Sequence, residues 1–465
     1  MTDNTKKGRN SFSLSKDLQG NTLLSALTEG GLFGWLSCIF MGLGNIKAGQ
    51  WLKGILFFIS QVAFTAFMLS PRGGIYSISL LPSLGSSEQG KVWNEDKGIF
   101  EYTAGDRSQL ILLYGIAALC VTVAFIFLWR ASVISGCRAL KEKRMGLYPK
   151  TFREDIKSLF NENIHSLLMT PPTATLLVFT VLPLIYMMSM AFTDFSREGD
   201  KLVLFDWVGF DNFIAVFSRN SVVGRQFWSV LLWTVVWAFF ATFLNFLFGT
   251  FVAMLINRPG IRLRGLWRTI LATTIAVPQF VSLMVVRSMV QPEGIINRML
   301  LNGGLIAERL PFLTESTWAR VLVIVVNLWI GIPYTILQVT GVLNNIPKEQ
   351  YDAAKVDGCT PYKTFMNVTL PYMMFVLTPY LITQFTGNIN NFNVIYLLTR
   401  GEPVTVGNTA GATDLLITWL YKLSVDQQKY NLAAVIGILT FATLSVVALI
   451  TYRSTGSYKN EEGFK

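Results

Sequence analysis

The residues of this chain best suited to chemistry are amides and aromatic rings set inside apolar runs. Asn327, Ile330, Gly331 and Tyr334 fall at i, i+3, i+4 and i+7 within NLWIGIPY, which places them on one helical face. Asn388 and Asn391 share a face of the following apolar run, within GNINNF, and an earlier run offers Pro278-Gln279 and Ser282. Amides present donors and acceptors that match hydroxyl pairs, and a ring presents apolar surface to the flat side of a pyranose. Such a set needs no charge, which suits a neutral sugar. A charged cargo more often calls for an intramembrane carboxylate or base. The same asparagines could instead bond a neighbouring helix, for about 0.6–2 kcal/mol, and Tyr334 could simply pack. Residue types alone leave both uses open.

A second feature is mechanical. The stretch from Ile346 to Tyr372 is a polar island between two apolar runs. Pro347 suits the first position of a short helix over 347–357. Gly358 permits a sharp turn with positive φ, where a side chain would clash. A second short helix over 361–367 leads to Leu370-Pro371, where the next apolar run starts. Two short helices held at an angle form a knob that can carry a rigid-body push into a membrane. No G-x-x-x-x-G-K-[ST] loop is present, so this chain lacks that cradle for ATP phosphates. His165 is the only histidine and no C-x-x-C pair occurs, so neither a histidine-based metal site nor redox chemistry is indicated. No catalytic residue and no cofactor of its own are expected.

The elements that must position these residues follow from composition. The chain is 465 residues, 52% hydrophobic and 14% charged, where a soluble domain carries about 25% charged residues. Eight spans are expected, at 51–70, 110–130, 171–193, 228–256, 266–287, 319–343, 371–398 and 430–452, each long enough to cross a bilayer as a helix. An even number puts both termini on one side. With the termini inside, about 24 of the 39 basic residues and about 12 of the 28 acidic residues are cytoplasmic. Arg258, Arg262, Arg264 and Arg268 mark one short loop as cytoplasmic with no acid among them. The net charge of +11 is therefore a positive-inside signature, and nucleic acid is not an expected partner. The segment 31–46 is apolar, short and glycine-rich, and is expected to be re-entrant or interfacial rather than spanning. No cleaved signal peptide is expected. The reading is an all-α polytopic membrane protein. Residues 1–165 form an appendage of a cytoplasmic segment, two spans and a basic linker. Residues 166–455 form a six-helix core with the loop 346–371, and 456–465 a cytoplasmic tail.

The loop resembles the E-A-A-x-x-x-G-x9-I-x-L-P loop of ABC importer membrane subunits, with Asp352 for Glu and Val368 for Ile. NLWIGIPY, DAAKVDG, NINNF, YLLTRGEP, AGATDLL and YNLAAVIG occur in order, and together they resemble the larger membrane subunit of maltose/maltodextrin importers, over roughly 170–455. The resemblance implies that Asp352, Ala353, Ala354, Asp357, Gly358, Leu370 and Pro371 dock a separate ATPase, which binds ATP and Mg. It implies that sugar lies against Asn327, Ile330, Gly331, Tyr334, Asn388 and Asn391. The implied partners are a second permease, two ATPase subunits and an extracellular lipid-anchored sugar-binding protein, in a bacterial cell membrane of Gram-positive type. Gly387 stands where the maltose proteins have an aromatic ring, Gln384 replaces a small hydroxyl residue, and Arg400-Gly401-Glu402-Pro403 departs from the usual glycine pair. These departures leave another oligosaccharide, of raffinose type, as the main rival. An ion-coupled secondary transporter and a non-transporting scaffold are the readings from other classes.

Overall fold

The computed structural model describes residues 23–87, 90–95, 97–103, 105–258 and 260–453. The expected polar start and the tail 456–465 lie outside the described residues. Among the described residues, seven helices are long and apolar enough to cross a bilayer, or eight if one bent pair counts as a span. The chain divides into two compact units, Met1–Ser189 with Asp200–Trp207, and Met190–Gly199 with Val208–Lys465.

The first unit is built on helices α1 (Leu23–Ile39), α2 (Leu43–Ala48), α3 (Trp51–Leu69), α4 (Ser108–Arg144), α5 (Phe152–Phe160) and α6 (Ile164–Met190). Between α3 and α4 a two-stranded antiparallel hairpin pairs β1 (Gly90–Asn94) with β2 (Ile99–Thr103). The segment Asp200–Trp207 returns to this unit, where the Trp207 indole donates to the Leu81 carbonyl (2.7 Å) and the Phe205 amide to the Ser108 hydroxyl (3.0 Å).

The segment 31–46 forms a helical hairpin against the C-terminal half of α4. Phe33 packs beside Leu140, and the Cys38 carbonyl accepts from the Trp129 indole (2.8 Å) further along the same helix. The chain then returns, with Asn45 bonded to Ser135 (3.0 Å) and the Lys47 carbonyl accepting from the Lys143 ammonium (2.9 Å). It enters and leaves near the C-terminal end of α4, as a hairpin. Glycines permit the tight return: Gly42 has φ 81°, and a side chain on Gly44 would meet Ser37 and Gly136. A turn in an apolar slab must satisfy its own backbone groups. Here Gln61 accepts from the Met41 amide (2.8 Å) and donates to the Ile39 carbonyl (2.7 Å), and the Ser132 hydroxyl accepts from the Gly42 amide (3.1 Å).

The second unit holds α7 (Val222–Asn257), α8 (Arg264–Ala276), α9 (Gln279–Met289), α10 (Ser316–Asn345), α11 (Lys348–Val356), α12 (Leu370–Ile389), α13 (Phe392–Leu398) and α14 (Tyr430–Arg453). Helices α7 and α10 approach closely because Gly249 has no side chain: a Cβ there would lie 2.5 Å from Thr335. The buried core runs along these helices, with Trp237, Val323, Ile389 and Ile395 fully enclosed at mid-length. Lipid-sized surface remains outside, where Leu232, Phe243, Leu247 and Phe251 are exposed.

Two expected spans are not continuous. The span expected at 266–287 is the pair α8 and α9, bent by 85° at Val277-Pro278. Proline lacks an amide hydrogen and pushes the residue before it towards extended backbone, and Val277 adopts φ −78°, ψ 122°. The span expected at 371–398 stops at Ile389 and restarts at Phe392. Asn391 is the cause: its side chain accepts from the Val394 amide (3.2 Å) and caps the new helix.

Candidate functional site

A cavity of about 370 Å³ opens among α7, α9, α10 and α12. Asn327, Ile330, Gly331, Tyr334, Asn388 and Asn391 all line it, so the six residues singled out in the sequence meet at one place. Helical spacing brings the first four together as expected. The other two do not share a helical face. Asn388 belongs to the last turn of α12 and Asn391 to the break beyond it, and the break itself turns both towards the cavity. The interruption at Pro278 likewise places Gln279, the first residue of α9, in the wall.

The amides differ in what they bond. Asn388 donates to the Thr242 hydroxyl (3.0 Å), while its carbonyl accepts from the Trp237 indole (3.0 Å). Asn391 donates to the Asn388 side-chain oxygen (3.4 Å). This side of the wall is tied to α7, as helix-bridging asparagines are. On α10 Asn327 is buried and its Nδ2 has no partner in the protein. Asn245 donates to the Ala241 carbonyl (2.7 Å), but its Oδ1 is likewise unpaired. Gly331 makes room for this amide, since a Cβ there would lie 2.5 Å from Asn245 Nδ2. Tyr334 is half exposed. The lining contains no Asp, Glu, Lys or Arg.

Sequence reasoning missed Thr242, Asn245, Gln338 and Tyr380, which complete the wall with Gln384. Asn245 carried a usable signal, as the only amide in the run 228–256. Thr242 had none, because threonine commonly satisfies itself on its own helix.

The loop 346–371 forms the expected knob. Helix α11 runs over Lys348–Val356, with Pro347 at the cap rather than inside the first turn, because its ψ of 134° is extended. Gly358 has φ 70°, as the turn requires. A side chain there would meet nothing within 4 Å, so the constraint lies in the backbone and not in a clash. The next helical turns run over 361–369 and lead into Leu370-Pro371 at the start of α12. Tyr351 and Thr369 share a hydroxyl hydrogen bond (3.1 Å) that pins the two arms together. Ala354 is buried against the body, while Asp352, Ala353, Asp357 and Gly358 are exposed. The bond and charge of Lys355, 2.8 Å away, hold the Asp352 carboxyl below its ordinary range. Val356 and Tyr362 project as exposed apolar groups, and a groove of about 640 Å³ separates the knob from the ends of α7 and α10.

Between α13 and α14 the segment 399–429 includes helical turns over Leu416–Tyr421 and Lys422–Asp426. Asp414, fully buried, accepts from the Lys422 ammonium (2.6 Å), the Gly411 amide (2.7 Å) and the Thr418 hydroxyl (2.9 Å). Burial pushes its carboxyl up, against the pull of those three donors.

The family described as binding-protein-dependent transport system inner membrane component matches residues 245–455, which hold the whole knob and most of the cavity wall. The galactooligosaccharides transport system permease protein GanP of Bacillus subtilis is 32% identical over 92% of this chain and 98% of its own length. The chain belongs to the sugar permeases of the ABC importers. A second relative within this family, the maltodextrin permease MdxF of the same organism, is also 32% identical, over 92% of this chain and 96% of its own length. The maltose/maltodextrin permease MalF of Escherichia coli is 34% identical over 53% of this chain and 49% of its own length. Among solved structures, a bacterial ABC transporter that imports alginate aligns with TM-score 0.53 and 23% identity, over 64% of this chain and 96% of the other, and shares the permease fold. The sugar permease described here is thus a multi-pass membrane protein.

Proposed function

We propose that this permease carries a neutral linear oligosaccharide of the maltodextrin type through the amide-lined cavity by alternating access. The observation that carries the reading is an uncharged wall in which the buried atoms Asn327 Nδ2 and Asn245 Oδ1 have no protein partner. Unpaired buried amides are costly unless something else bonds them, and sugar hydroxyls match them in geometry. Asn388 and Asn391 hold the far wall, while Ile330, Gly331 and Tyr334 give the ring an apolar and aromatic face.

In this reading the knob docks a separate ATPase through Asp352, Ala353, Ala354, Asp357 and Gly358, with Leu370 and Pro371 passing the motion into α12. ATP and Mg are bound by that partner. A second permease completes the pathway, two ATPase subunits drive it, and an extracellular binding protein delivers sugar. Both termini are cytoplasmic, in a Gram-positive cell membrane. A second reading, galactooligosaccharides, is favoured by the similarity to GanP.

The test is ATP hydrolysis by the reconstituted complex in proteoliposomes, with its binding protein and a sugar panel. Stimulation by linear α-1,4-glucans supports the first reading, and stimulation by β-galactosides replaces it with the second. Coupling is tested separately with Gly358→Ala. A residue with a Cβ in left-handed backbone costs roughly 1–2 kcal/mol, and no neighbour is disturbed. The variant is expected to insert and assemble normally but to lose several-fold in sugar-stimulated hydrolysis. Unchanged stimulation would remove the knob from the coupling path.

A further inference from the structure

The two elements that bring an amide to the central cavity also bring an arginine to a second pocket. Helix α9 starts at Gln279 in the cavity wall and carries Arg287 two turns later. The segment from Asn391 through α13 ends at Arg400. At 1.5 Å per residue the second pocket lies roughly 12 Å further along α9, towards the side expected to be extracellular. It measures about 270 Å³, and Ser288, Gln291 and Tyr396 join the two arginines in its wall.

The protein leaves part of the hydrogen-bonding capacity there unused. Arg287 pairs with Glu402 through Nη2 at 3.9 Å, and its Nη1 is buried with no partner. Arg400 is exposed and has φ 54°, a backbone region that favours glycine. A long cationic side chain is thus held where the backbone disfavours it, beside a guanidinium with an unused donor. Guanidinium groups match carboxylates by paired, charge-assisted hydrogen bonds. The central cavity, in contrast, has no charged residue in its wall.

We propose that Arg287 and Arg400 form an outer subsite that takes a carboxylate borne by the transported oligosaccharide, such as a uronate ring or an aldonate end. The subsite rests on the transport reading above. It extends the cargo from neutral glucans to acidic oligosaccharides, held at the mouth by charge and in the cavity by hydroxyls.

The test is equilibrium binding to the complete permease–ATPase complex in detergent, without binding protein, at low salt. The probes are trigalacturonate and maltotriose. The wild type is expected to bind the uronate about tenfold more tightly, a charge-assisted preference that salt weakens. Arg287→Gln and Arg400→Gly are each expected to abolish the preference while leaving maltotriose affinity unchanged, and Arg287→Lys to keep part of it. Arg400→Gly places the favoured residue at φ 54°, so loss of folding cannot explain its result. Equal binding of both probes by the wild type, or a preference that survives both variants, overturns the subsite. If these variants instead lower hydrolysis stimulated by neutral sugar through the binding protein, the arginines serve a protein carboxylate and the proposal falls. The transport reading fails by a different result, the absence of stimulation by any sugar.

Discussion

Both units interrupt a helix in apolar surroundings, and they treat the interruption in opposite ways. At the hairpin tip of the first unit four freed backbone groups meet side chains: Gln61 serves Met41 and Ile39, Ser132 serves Gly42, and Ser37 accepts from the Gly44 amide at 2.8 Å. At Asn390-Asn391 of the second unit the break faces a cavity, and the wall formed by α7 and α10 keeps the unpaired Asn245 Oδ1 and Asn327 Nδ2. A bilayer core supplies no water to cover such groups. The backbone groups of the first interruption are therefore satisfied within the protein, with Asn45 Oδ1 the one buried side-chain oxygen there left unpaired, while the second lies beside a cavity whose wall holds unpaired amides.

The comparison breaks if sealed groups prove dispensable for stability. The severest case is Asp414, which is sealed by three donors. Asp414→Ala leaves the Lys422 ammonium buried without its partner, and is expected to cost about 3–5 kcal/mol. Removing both charges with Asp414→Leu and Lys422→Met should restore most of that loss. Thermal unfolding of the purified complex measures both, and a single-variant loss below about 1 kcal/mol would contradict the assignment. Gln61→Leu comes next. It strands one amide and one carbonyl at the hairpin tip, at about 1–3 kcal/mol for each group. The hairpin should become sensitive to protease near 31–46, while transport per folded complex stays unchanged. A transport defect without a stability defect would make the first unit part of the pathway.

How far the sequence could be read divides along the same line. Periodicity exposed the spans and brought Asn327, Ile330, Gly331 and Tyr334 to one face, because helical spacing is a local property. It failed at Val277-Pro278, where a proline bends the chain by 85°, and at Asn390-Asn391, where a capping asparagine restarts the helix, both inside runs that read as continuous. Apolar runs do not record a bend, since both arms are equally apolar. The pairing of Asn388 with Thr242 and the approach of Asn245 to Gly331 were invisible for another reason. Each depends on which helices become neighbours, and that is decided by distant contacts such as Gly249 against Thr335.

The smallest expected effect on stability belongs to the open side, and it sharpens the contrast most. Asn327→Leu keeps the volume of the side chain but removes a buried donor that bonds nothing in the protein. Removing an unsatisfied group is neutral or stabilising, so unfolding should shift by less than about 1 kcal/mol, in either direction. Transport should nevertheless fall about tenfold, the loss of about 1.4 kcal/mol that one sugar hydrogen bond supplies. Gln61→Leu predicts the reverse pattern, with stability lost and transport per folded complex kept. Measuring melting and sugar uptake on the same two preparations therefore separates the two roles. If Asn327→Leu lowers stability as much as uptake, its amide is bonded within the folded complex, and the cavity wall is helix-bridging on both sides.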